Sequence, residues 1–81
     1  MAEEAVEAVF DVKKNHGAVI RVQKTHFHEW DLVDIRVWTK NKAGEFKATK
    51  QGLNMRVGRL AAFMEAMRKV QEAVGEVEPL D

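Results

Sequence analysis

The chain has no cysteine, so neither a disulfide nor a thiolate-bound zinc can staple it, and a reducing compartment fits. No apolar run approaches the ~18 residues of a membrane span, and no charged-then-apolar leader opens the chain. Repeats, low-complexity tracts and linkers are absent as well. At 81 residues there is length for one domain only. A chain this short buries only about 60–65% of its unfolded surface, so a second chain is expected to complete its core. The expectation is a soluble, intracellular protein with no membrane partner.

Net charge is also lacking, since 13 Lys and Arg balance 13 Asp and Glu. The balance hides segregation. Residues 1–12 hold Glu3, Glu4, Glu7 and Asp11 and no cation. Residues 13–56 hold ten Lys or Arg against Glu29, Asp31, Asp34 and Glu45, a balance of +6, and residues 57–81 come to −2. The middle of the chain is therefore the basic part, and the overall isoelectric point misleads about partners.

That basic middle reads as strands. Residues 1–8, acidic and alanine-rich, read as a flexible tail or a short helical turn. Val9 to Lys13 alternates weakly and fits a first strand, and Asn15-His16-Gly17 signals a turn. A second strand runs from Ala18 to about Phe27, with Ile20 and Val22 on one face and Arg21, Gln23, Thr25 and Phe27 on the other. His28 to Asp31 reads as a connection. The third strand spans Leu32 to about Lys40, Asn41 to Gly44 a turn, and the fourth Glu45 to Met55, with Gly52 marking a bend or bulge. Then the period changes. Val57, Leu60, Ala61, Phe63, Met64, Met67, Val70 and Val74 recur at helical spacing, Gly75 marks the stop, and residues 76–81 form a second flexible tail.

The expected fold is thus α+β: a four-stranded antiparallel meander followed by one C-terminal amphipathic helix, ββββα, with the working domain at 9–75. One helix covers one face of a sheet, which leaves the other in water. Along the third strand Val33, Ile35 and Val37 alternate with Asp34, Arg36 and Trp38, so the wet face carries a tryptophan beside an arginine. Lys40, Lys42, Lys47 and Lys50 follow. Rings that stack on bases and cations that meet phosphates give such a face a purpose.

The block Leu32-Val33-Asp34-Ile35-Arg36, then Gly44-Glu45-Phe46-Lys47, then Lys50-Gln51-Gly52-Leu53-Asn54-Met55 resembles the transcriptional positive cofactor four family, single-stranded-DNA-binding coactivators with bacterial relatives. The resemblance implies a homodimer of ββββα subunits with helices at the interface and cationic grooves for single-stranded DNA. It implies no enzyme and no cofactor. Phe27 falls on a base-stacking aromatic, Arg36 on the DNA-facing arginine, and Lys47 and Lys50 on basic positions of the fourth strand. The family's second stacking tryptophan comes one residue later, where this chain has Thr39; Trp38 takes the preceding position, on the face of Arg36 by alternation.

Each singled-out residue has a plainer reading beside this one. Phe27 and Trp38 either stack on bases or cover a core edge or a dimer contact, and Trp30 either packs or touches DNA. Arg21, Lys24, Arg36, Lys47 and Lys50 either meet phosphates, which carry the affinity of a non-specific binder, or form a solvated face in which Asp34 pairs with Arg36. His16, His26 and His28 lack the further ligands that zinc requires, so no metal site is assigned. Asp34 with Glu45 and Lys47 matches a Mg²⁺-nuclease pattern at a weak level. The methionines at helical spacing read as core and interface. The expectation is a cytoplasmic, nucleoid-associated homodimer that binds single-stranded DNA without sequence preference and meets transcription or repair machinery. RNA is a second candidate ligand. The alternatives are a Mg²⁺-dependent nuclease and a protein–protein adaptor.

Overall fold

The computed structural model describes residues 4–80. Four strands form one antiparallel sheet in the order β1-β2-β3-β4: β1 (Glu4–Asn15), β2 (Ala18–Phe27), β3 (Trp30–Lys40) and β4 (Phe46–Arg56). A single 3₁₀ turn (Val57–Arg59) leads into α1 (Leu60–Val74). Gly75 ends α1 as the spacing predicts, at φ 80° with its N–H donating to the Gln71 carbonyl at 3.0 Å. Four strands and one terminal helix are the fold that the alternation and the change of period imply.

Two boundaries differ from the sequence reading. The first strand starts at Glu4 rather than Val9, so 4–8 are not a tail; residues 1–3 lie outside the described residues. Alanines and glutamates have weak strand propensity, but Ala5, Val6 and Ala8 find partners in His26, Thr25 and Lys24 of β2. Ladder pairing overrides propensity here. The connection read at His28–Asp31 shrinks to His28-Glu29, because His28 adopts φ 56° and closes a two-residue turn. Trp30 then opens β3, directly across from Phe27.

The other turns have local chemistry. Gly17 at φ 86° closes the β1–β2 hairpin. In the β3–β4 turn the Asn41 side-chain oxygen accepts from the N–H groups of Ala43 and Glu45 at 2.9 and 3.0 Å. Asparagine suits this role because its short amide copies a backbone turn. Gly52 is required by space: a Cβ there would stand 2.4 Å from the Ile35 carbonyl oxygen and 2.7 Å from the Arg36 Cα. At this point the β3–β4 ladder shifts between Arg36 and Trp38, and residues 49–51 bulge opposite Val37. The Thr49 hydroxyl donates to the Val37 carbonyl at 2.8 Å and bridges the interruption.

Pairing register assigns the faces. Val19, Arg21, Gln23, Thr25 and Phe27 share one with Trp30, Leu32, Asp34, Arg36 and Trp38. Phe10, Val12, Ile20, Val22, Val33, Ile35, Val37, Leu53 and Met55 share the other. The expectation that the helix covers the second face is not met within the subunit. α1 packs substantially only on the 3₁₀ turn before it, and it has no buried residue. Ala18 and Val33 are the buried apolar residues of the sheet, and Thr25 the buried polar one. The accessible surface is 6765 Å². A compact monomer of 9.2 kDa exposes roughly 4,900 Å². Among the described residues, much of the apolar sheet face and the apolar stripe of the helix are therefore left uncovered.

Candidate nucleic-acid interface

The face opposite the apolar one gathers four rings and their cations. At one end Phe27 and Trp30 pair across the β2–β3 hairpin, and the Arg56 guanidinium lies 3.9 Å from the Trp30 ring centroid. Both rings are 39% exposed, which leaves a stacking surface open to solvent. At the other end Trp38 and Phe46 stand on the same face. The Arg21 guanidinium sits 4.4 Å from the Trp38 centroid and 6.0 Å from that of Phe46, while the Lys40 ammonium is 5.3 Å from Phe46. Cations over ring faces are held by the ring quadrupole and remain available to a phosphate.

The two ends differ in how free their rings are. Trp38 is half-buried, and its Nε1 is buried without a hydrogen-bond partner among the described residues. Its outer face is occupied by Arg21. Trp38 therefore shares the face of Arg36, as alternation predicts, and it acts as a platform for Arg21 more than as an open ring. Phe27 and Trp30 are the more exposed rings, although the Arg56 guanidinium covers part of Trp30 and the His28 ring meets Phe27 edge-on with centroids 4.2 Å apart.

Carboxylates temper the arginines. Asp11 holds Arg21 in a two-point ion pair, Nε to Oδ1 at 2.8 Å and Nη2 to Oδ2 at 3.1 Å. Those hydrogen bonds keep the Asp11 carboxyl below the ordinary carboxylate range. Asp34 holds Arg36 in the same fashion at 3.0 and 3.3 Å, and Arg36 also donates to the Thr49 carbonyl at 3.2 Å. The pairing of Asp34 with Arg36 anticipated from sequence is thus present. Lys13, Lys40 and Arg56 stand on this side by register and have no carboxylate partner among the described residues, and exposed Lys50 in the bulge has none either.

The seven candidate residues do not assemble as one group. Phe27, Arg36, Trp38 and Arg21 share the ring face. Lys50 lies exposed in the β4 bulge. Lys47 pairs with Thr39 and so points to the apolar face, opposite Arg36. Lys24 is on that face too, clamped between Glu7 and the Asp31 carboxylate, the latter at 2.7 Å. Asp31 also meets His26 Nδ1 at 2.8 Å, and Lys24 first, then His26, lower its pKa. Asp34, Glu45 and Lys47 are parted as well: Asp34 faces the rings, Lys47 the other side, and Glu45 sits in the Asn41 turn. A nuclease centre built on those three is not assembled. No group of three or more His, Cys, Asp or Glu that could hold a metal ion occurs among the described residues.

Phe46, Arg56 and Trp30 join the face through pairing with Lys40, Leu32 and Phe27, and no motif in the sequence singles out the first two. Even-numbered positions from Trp30 to Lys40 were the available signal for Trp30. Ending the turn at Glu29 instead of Asp31 would have revealed it.

Fold and face define a class: small ββββα proteins with an open sheet that carries rings and cations on one of its faces. The chain belongs to the family described as Transcriptional Coactivator p15 (PC4), whose model matches residues 14–66. The family is generally DNA-binding. A crystal structure of a PC4 homolog from Burkholderia pseudomallei is similar at TM-score 0.74 and 24% identity, over 82% of this chain and 97% of that one. A bacteriophage T5 homolog of the eukaryotic transcription coactivator PC4, implicated in recombination-dependent DNA replication, is similar at TM-score 0.71 and 16% identity, over 83% of this chain and 78% of the phage chain. These likenesses are likenesses of fold. No curated protein matches the chain. No helix among the described residues is long and apolar enough to cross a membrane.

Proposed function

We propose that the chain forms a homodimer that binds single-stranded DNA with little sequence preference, in transcription regulation or repair at the bacterial nucleoid. The observation that carries this reading is the ring face: Phe27 and Trp30 open to solvent, with Arg56, Arg21, Lys40 and Arg36 interleaved among four rings. Paired bases in a duplex hide their π-faces, whereas single strands offer them, so open rings select single strands. Phosphate contact by Lys40, Lys50 and the arginines supplies the sequence-independent part of the affinity. Family membership supports DNA as the polymer.

The dimer is supported by what the subunit leaves uncovered. Its surface exceeds that of a compact monomer by about 1,800 Å², and obligate dimers bury areas of that order per subunit. The sheet's apolar face and the α1 stripe of Met64, Met67, Val70 and Val74, all more than half exposed, are the surfaces such a dimer would bury.

The test is tryptophan fluorescence during titration with oligo-dT, the matching duplex and an RNA oligomer. Quenching by oligo-dT at concentrations where duplex leaves the signal unchanged is expected. Equal affinity for duplex and single strand overturns the reading. Failure to retard any nucleic acid at low salt would assign the face to a polypeptide.

A further inference from the structure

Between the two ring clusters the same face carries a polar row. Register places Gln23 opposite Asp34 and Asp34 opposite Asn54, so three hydrogen-bonding side chains stand on adjacent strands about 4.8 Å apart. Asp34 is four residues from Trp30 in one direction and four from Trp38 in the other. Each step of four spans about 13 Å. A DNA strand stacked at both clusters must cross this row, and the bases between meet polar side chains instead of rings.

The three members differ in freedom. The Asp34 side chain is 17% exposed, and both its oxygens are fixed by Arg36, which the Thr49 carbonyl holds in turn. Each carboxylate oxygen still has a lone pair directed elsewhere. Gln23 and Asn54 make no side-chain hydrogen bond among the described residues, and their amides can turn to donate or accept. The centre of the row is therefore a fixed acceptor flanked by two adaptable groups.

Resting on the single-strand reading above, we infer that Asp34 is a base-discriminating residue, favouring bases with an N–H at the centre of the Watson–Crick edge. Thymine, uracil and guanine have that N–H. Cytosine and adenine present a ring nitrogen there, an acceptor facing an acceptor. Cytosine can offer its exocyclic N4–H to Asp34 only by sliding along its edge, which leaves one flanking amide without a partner. The preference is superimposed on a sequence-independent affinity, and one hydrogen bond sets it at about fivefold.

The experiment compares ten-residue oligomers of deoxyuridine and deoxycytidine, which share backbone charge and ring size and lack the thymine methyl. The wild-type protein is expected to bind the deoxyuridine oligomer about fivefold more tightly. Asp34→Asn, whose amide both donates and accepts, is expected to bring the ratio close to one. Asn54→Ala leaves the Asp34–Arg36 pair untouched and is expected to narrow the ratio, which keeps the test usable should Asp34→Asn fail to fold. Equal wild-type affinities, or an unchanged ratio in folded Asp34→Asn or in Asn54→Ala, overturns the inference alone. Failure of both oligomers to bind overturns the single-strand reading and this inference with it.

Discussion

The two faces of the sheet are made from alternate residues of the same four strands, yet they ask for different partners. Along β3 the odd positions Val33, Ile35 and Val37 supply branched aliphatic surface, while the even positions Trp30, Asp34, Arg36 and Trp38 supply rings and charge. Aliphatic surface left in water loses about 25 cal/mol for each Å² that could be buried, and on that face Phe10, Val12 and Leu53 are the exposed apolar side chains. Rings already capped by guanidinium groups lose far less by staying wet, and they leave π-surface for a base. Period-two alternation thus lets 81 residues keep aliphatic surface and a set of rings and cations apart on two faces of one sheet.

The largest break in this division comes from charging the apolar face. Ile35→Asp puts a carboxylate on surface that the dimer would bury, and both folding and assembly are expected to fail together, read by circular dichroism and sedimentation. A folded, monomeric variant that binds DNA normally would separate what is joined here.

Next in size, Phe27→Ala combined with Trp30→Ala removes two open stacks worth about 1–3 kcal/mol each. Oligo-dT affinity is expected to fall at least tenfold, measured by anisotropy, with the dimer intact. Trp38→Phe should cost less, because Trp38 is less exposed than Phe27 and Trp30 and the substitution keeps a ring.

A smaller effect sharpens the comparison of faces. Lys40→Ala is expected to lower the slope of log affinity against log salt by about 0.7, one phosphate neutralised on a single strand. Lys47→Ala, on the apolar face, is expected to leave the slope unchanged. A loss of equal size in both would show that β4, as an edge strand, serves ligand from both sides.

The smallest concerns Asp11, which neutralises Arg21. Asp11→Asn frees the guanidinium and is expected to tighten oligo-dT binding a few-fold at low salt. The folded-state pKa of Asp11 lies below its ordinary value. Its contribution to stability is therefore complete above about pH 4 and lost as the pH falls below that. Thermal midpoints of variant and wild type should converge in that acid range, and the exposed pair makes the difference small.

Much of this was legible in the sequence, for reasons the residues make plain. Alternation in β3 and the helical spacing after Val57 gave the element order and the two faces, since each depends on a local period. Gly52 announced its bulge because only a residue without a Cβ fits against Ile35 and Arg36. Trp30 escaped because His28 takes a left-handed conformation, which is uncommon for any residue other than glycine. The resemblance puts Lys47 on a basic position of the fourth strand without choosing a face, and pairing with Thr39 sends it to the face opposite Arg36. The Asp11 and Asp34 pairs were only half visible: Asp34 is two residues from its arginine, but Asp11 reaches Arg21 through β1–β2 register. The layer argument placed the helix on the sheet, whereas α1 packs mainly on the 3₁₀ turn before it and buries none of its own residues.

The most direct test of the division between faces is sedimentation velocity with fluorescein-labelled oligo-dT, reading assembly and binding in one run. Phe27→Ala/Trp30→Ala is predicted to sediment as the wild-type dimer without the label, while the wild-type dimer carries it. A double variant that still carries the label at wild-type affinity would contradict the account.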